Sequence, residues 1–156
     1  MAAFAGCDDD PTGIEEDADF HVPILTGQAE RPDPVATDAS GAAFLDVDGT
    51  TVRFRILVED IEDVTLAHIH VGGMDVAGPI VVELFNAEGD PEDFTDRDVL
   101  AEGAFDESDV QDAGGIASID DLLDAMRAGN TYVNVHTAAN PAGEIRGQIA
   151  RVFPPD

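Results

Sequence analysis

The 156-residue chain contains no lysine and a single cysteine, and its seven basic residues, all arginine, stand against 34 acidic ones. The formal net charge is -27 and the isoelectric point lies near 4.1. A surface of this sign repels phosphate backbones and anionic head groups, which excludes nucleic acid and acidic lipid as partners. With Cys7 alone there is no intrachain disulfide, so stability must come from a packed core. No apolar run is long enough to span a bilayer. A Gly-rich phosphate loop and a Gly-x-Ser-x-Gly elbow are also missing, so nucleotide chemistry and nucleophilic acyl transfer lack their parts.

The composition that remains is that of one globular domain: 44% hydrophobic residues with eight phenylalanines, in a chain of ordinary single-domain length. The acidic residues are spread along the whole chain rather than gathered in a tail. That distribution is expected of a protein adapted to high salt, where the Debye length falls to about 3 Å and self-repulsion is screened.

Residues 1–19 differ from the rest. Small residues and Cys7 are followed by Asp8-Asp9-Asp10, Pro11, Gly13 and Glu15-Glu16-Asp17, the composition of an acidic flexible tether. Phe4-Ala5-Gly6-Cys7 is similar to the end of a lipoprotein signal, yet a signal needs an apolar stretch of about 7–15 residues before its cleavage site. Cys7 is therefore expected either to carry a lipid anchor, with the start of translation upstream of Met1, or to be an incidental thiol. Lipid on Cys7 is the one membrane attachment the sequence offers.

Residues 20–153 form the domain proper, where short apolar runs recur between Gly, Pro, Asp and Asn. Alternation is clearest at 52–58, with Val52, Phe54, Ile56 and Val58 on one face and Arg53 and Arg55 on the other. Similar runs cover 20–30, 41–47, 64–71, 79–85, 99–105, 131–137 and 144–153. About eight strands at this spacing predict an all-β fold, an antiparallel Greek-key sandwich or flattened barrel. One short crossover helix interrupts them: Ser118 is placed to cap it, Asp120 and Asp121 suit its first turn, and Ile119, Leu122, Leu123 and Met126 make its apolar stripe before Gly129.

Histidine is scarce, with four in the chain, and three lie in two of the predicted strands. Residues two apart in a strand share a face, so His68 and His70 point one way and Ile69 and Val71 the other. The same alternation puts Tyr132, Asn134 and His136 opposite Val133 and Val135. The β-branched residues mark the core side, which predicts outward histidines that converge if the two strands are neighbours. Three imidazoles so placed suit Cu(II) or Zn(II), imidazole being a borderline ligand. A polar network bracing the strands is the alternative. Met74 and Asp75, in the loop that follows, are candidates for a fourth ligand.

The remaining polar residues read as structural. Glu144, Arg146 and Gln148 share one face of the last run, and Arg146 is expected to pair with a carboxylate such as Glu30 or Glu144. His21 reads as a surface residue, and Pro23 beside it suggests an edge strand. Carboxylate-rich stretches at 46–48 and 90–98 offer oxygen ligands to calcium, without the spacing of a known calcium loop.

From Phe20 to Val152 the sequence resembles the CHRD domain, a module named from chordin and widespread in secreted bacterial and archaeal proteins. The likeness rests on Leu25-Thr26-Gly27-Gln28-Ala29-Glu30, Ala67-His68-Ile69-His70, Gly78-Pro79-Ile80-Val81-Val82, Tyr132-Val133-Asn134-Val135-His136-Thr137 and Gly143-Glu144-Ile145-Arg146-Gly147-Gln148. It implies a β fold and an extracellular or cell-surface location. The chain is also distantly similar to copper-zinc superoxide dismutase, a Greek-key barrel whose copper is held partly by an His-x-His strand and by a later strand histidine. That similarity implies His68, His70 and His136 as copper ligands. No histidine lies between His70 and His136, however, so the bridging ligand and zinc site of that family have no counterpart, and its disulfide is absent. A surface at -27 also repels the superoxide anion at low salt.

Three readings follow, in order of support: an extracellular binding module holding copper, or alternatively zinc, at His68, His70 and His136; a metal-free structural or adhesive domain able to self-associate through edge strands; and a dismutase-like redox enzyme.

Overall fold

The computed structural model describes residues 11–153. Ten strands, all paired antiparallel, make up just under half of them: β1 (Phe20–Thr26), β2 (Ser40–Asp48), β3 (Thr51–Glu59), β4 (Ile61–Val71), β5 (Ile80–Asn86), β6 (Glu92–Phe94), β7 (Asp98–Phe105), β8 (Thr131–Thr137), β9 (Ile145–Gln148) and β10 (Ala150–Arg151). Eight run in the order β5-β4-β8-β9-β1-β2-β3-β7, with β6 beside β4 and β10 beside β1. The two outermost strands, β5 and β7, come into contact, so the sheet curls into a nearly closed barrel. The expected all-β antiparallel fold is thus observed, and of the two forms the sequence left open, sandwich or flattened barrel, it is a barrel. The carboxylate-rich stretch 90–98, outside the predicted strands, contains β6, which is too short and too acidic to show a strand pattern.

The alternation at 52–58 has the predicted consequence: Val52, Phe54, Ile56 and Val58 enter the core. Arg55, on the other face, is nevertheless buried. It reaches Glu102 on β7 at 3.1 Å and Glu15 at 3.5 Å. Glu15 belongs to a single helical turn, α1 (Ile14–Asp17), whose Ile14 is also buried. The last residues of the stretch read as a tether therefore lie against the barrel. Cys7 and its expected lipid fall outside the described residues.

The predicted helix is present as α2 (Ile119–Arg127) between β7 and β8. Ser118 Oγ accepts from Asp121 N at 3.1 Å, and Ile119, Leu122, Leu123 and Met126 are buried. At Pro23 the sequence expectation fails, because β1 is interior to the sheet, between β2 and β9. The proline is accommodated by a bulge between Val22 and Leu25, where no ladder donor is needed. Beside it His21 is half-buried. Gly147 on β9 lets the neighbouring strand close in, since a Cβ there would meet Ile24 O at 2.6 Å.

Candidate metal centre

Strands β4 and β8 are neighbours, with His70 opposite Tyr132, His68 opposite Asn134 and Leu66 opposite His136. The convergence that alternation predicts is therefore realised. The core-facing partners, Ala67, Ile69, Val71, Val133 and Val135, lie in the hydrophobic cluster as expected. The expected exposure is not found: His68, His70 and His136 are 4%, 7% and 6% exposed. They occupy the outer face, but loops cover it. Residues 72–78 fold back over His70, whose Nδ1 lies 2.8 Å from Gly78 O. Residues 138–144 close over His136, whose Nδ1 lies 2.9 Å from Pro141 O. Periodicity along a strand reports which face a residue occupies and is silent on what a distant loop lays over it.

These two backbone contacts determine the protonation of two rings. A carbonyl only accepts, so in both His70 and His136 the ring proton sits on Nδ1 and the Nε2 lone pair is left free. His70 Nε2 is buried without a hydrogen-bond partner. His136 Nε2 lies 3.0 Å from His68 Nδ1 and 3.0 Å from the end of the Asn134 side-chain amide, which donates to that lone pair when its NH2 group is the end turned to the ring. One nitrogen from each ring falls within 4.8 Å of the others, and this is the single cluster of potential metal ligands among the described residues. Burial holds all three imidazoles below their ordinary pKa. For His68 the value falls to about 4, by desolvation first and then by His136 and His70. Burial thus favours the neutral form of each ring, the form a metal ligand must take.

Around the cluster the side chains are stacked. The Tyr132 ring lies on His70 with centroids 4.8 Å apart and planes 8° from parallel, and the Arg146 guanidinium sits 3.4 Å from the Tyr132 centroid. Tyr132 Oη accepts from Gly78 N at 2.9 Å. Arg146, 1% exposed, was expected to pair with Glu30 or Glu144. Instead it donates to Val76 O at 2.7 Å and Gly73 O at 2.8 Å, fastening the loop that covers His70. Glu30 feels its charge, but desolvation dominates and lifts that carboxyl to about 7. Glu144 is held by Thr37, Thr137 and Asn140. The proposed fourth ligands point away: Met74 is 66% exposed and the Asp75 side chain 85% exposed, the latter 3.7 Å from Arg31.

The residue that strand reasoning overlooked is Glu83, opposite His68 on β5, with Oε2 3.9 Å from His68 Nε2. In so acidic a chain one more carboxylate carries no signal, and only the register singles it out. The two backbone carbonyls were equally invisible, because main-chain oxygens have no residue code. Of the acidic residues suggested as calcium ligands, Asp46 pairs with Arg53 and Asp93 Oδ1 accepts from Asp63 N. A cavity of about 570 Å³ elsewhere, lined by Asp38, Asp60, Asp63, Phe94 and Glu144 among others, includes none of the histidines.

Residues 23–149 match the family model of the CHRD domain. No curated protein and no solved structure matches the chain. No described helix is long and apolar enough to cross a membrane.

Proposed function

The chain belongs to the CHRD domain family, and from that premise we propose that it is an extracellular or cell-surface binding module that holds one copper ion, or alternatively zinc, through His68, His70 and His136. The supporting observation is the orphaned Nε2 of His70. A buried, neutral, unpartnered acceptor costs about 1–3 kcal/mol, and here it belongs to a ring that brings one nitrogen within 4.8 Å of two further ring nitrogens. A cation among them would satisfy all three lone pairs at once. His68 would present Nδ1, and His70 and His136 would present Nε2. Gly78 O and Pro141 O act as the outer partners that orient ligating imidazoles in metal sites generally. When bound, the ion would contribute its charge and affinity for borderline nitrogen ligands. The chain's part is to hold three neutral rings in register and keep water out. Loops over the cluster favour capture and retention above turnover of a diffusing substrate, which places dismutase-like activity last.

The test is a copper and zinc titration of the full chain in high salt, alongside a His68→Ala/His136→Ala double variant. One tight equivalent in the wild type, lost in the variant, is the expected result. Equal and weak binding by both would overturn the reading and leave the 3.0 Å His68–His136 contact as a strand brace in a structural domain.

A further inference from the structure

Two of the three rings have their tautomer fixed by the backbone, whereas His68 has no carbonyl to fix it. Its Nδ1 faces the His136 Nε2 lone pair at 3.0 Å, and its Nε2 faces Glu83 Oε2 at 3.9 Å. Without an ion, the neutral ring is best served by a proton on Nδ1, donated to His136, which leaves the Nε2 lone pair towards a carboxylate. With an ion, Nδ1 must be bare and the proton must sit on Nε2, where Glu83 attracts it. The two states of the site therefore differ in which edge of His68 carries its one ring proton.

We propose that Glu83 is the positioning residue that makes His68 a ligand, by stabilising the Nε2–H tautomer and so releasing Nδ1 from its hydrogen bond to His136. The proton leaves Nδ1 and an equal proton is taken up at Nε2, exchanged through solvent on the exposed Glu83 side. The ring stays neutral throughout and no net proton is released. Register makes the assignment specific. Glu83 lies directly across from His68, and its side chain is 48% exposed, so it forms the wet edge of an otherwise closed cluster. This inference rests on the metal-binding reading above.

The test combines nitrogen-15 NMR of the histidine rings with zinc titration, zinc being diamagnetic, on the full chain in high salt. In the wild type the His68 proton is expected on Nδ1 before zinc and on Nε2 after it. His70 and His136 should keep theirs on Nδ1 throughout. Glu83→Gln should weaken zinc binding by about tenfold, the low end of what losing an outer partner costs, and Glu83→Lys by more. Glu62→Gln, an exposed site at the far end of β4, removes the same charge as Glu83→Gln and should change affinity little. Zinc binding that is equally strong in the wild type and both Glu83 variants, or a His68 proton that stays on Nδ1 in the zinc-loaded protein, would overturn the role of Glu83 and leave the metal site standing. A wild type that binds no zinc or copper would overturn the site itself, and the proposal with it.

Discussion

The buried titratable residues pull stability in opposite directions with pH. The three histidines have folded pKa values below the unfolded value of about 6.5, so the unfolded chain binds more protons in the window between. Their contribution is complete above about pH 6.5 and is lost as pH falls towards the folded value of about 4 for His68. Glu30 works the other way. Its carboxyl is raised from 4.5 to about 7, so its favourable contribution is complete below 4.5 and is lost as pH rises through about 7. Glu30→Gln keeps the shape without the buried charge. It should raise the thermal midpoint at pH 8 and change little at pH 4.5, which a pair of melting curves checks. If zinc binds as proposed, ligands whose pKa burial lowers should keep the ion at pH values below the ordinary histidine value of about 6.5. Release near pH 6.5 would contradict that burial.

Among the elements, the loop of residues 72–78 decides whether the outer face of β4 is a site or a surface. Arg146, Gln148 and Tyr132 hold it by hydrogen bonds to Gly73 O, Val76 O, Gly72 O and Gly78 N. Arg146→Lys keeps the charge but cannot span both carbonyls, and losing such a buried bond costs about 1–3 kcal/mol. Amide exchange in 72–78 should accelerate in that variant while exchange in β2 and β3 stays slow. Gly78→Ala is harsher, since a Cβ there would come 1.7 Å from Val71 O. It should displace the loop, expose His70 and weaken metal binding with the barrel still folded, as near-unchanged far-ultraviolet circular dichroism would show.

These elements also mark how far the sequence could be read. Alternation in β3, β4 and β8 is a local property, so the barrel, the helix stripe from Ile119 to Met126 and the shared face of three histidines were all legible. What covers that face depends on contacts as distant as Arg146 with Gly73, and on main-chain oxygens at Gly78 and Pro141. Neither leaves a trace in residue type. The partner of Arg146 was misjudged for the same reason: carboxylates are visible in a sequence, and carbonyls are not.

At the scale of the whole molecule, the charge of -27 sets the conditions under which the fold is stable. Repulsion among surface carboxylates falls as the screening length shrinks towards about 3 Å at molar salt. The thermal midpoint should therefore rise steadily from 0.1 M towards molar sodium chloride, as calorimetry would record, and a flat profile would remove the case for a salt-adapted surface.

Tyr132 is the one tyrosine in a chain without tryptophan, and its ring is stacked on His70. Excited beyond the absorption of its eight phenylalanines, the protein therefore has a single emitter, a ring lying 4.8 Å from an imidazole of the cluster. Cupric ion at that imidazole should extinguish the emission, and zinc, with its filled d shell, should leave it largely lit. Emission lost with cupric ion and kept with zinc would thus report occupancy of the proposed site without any label.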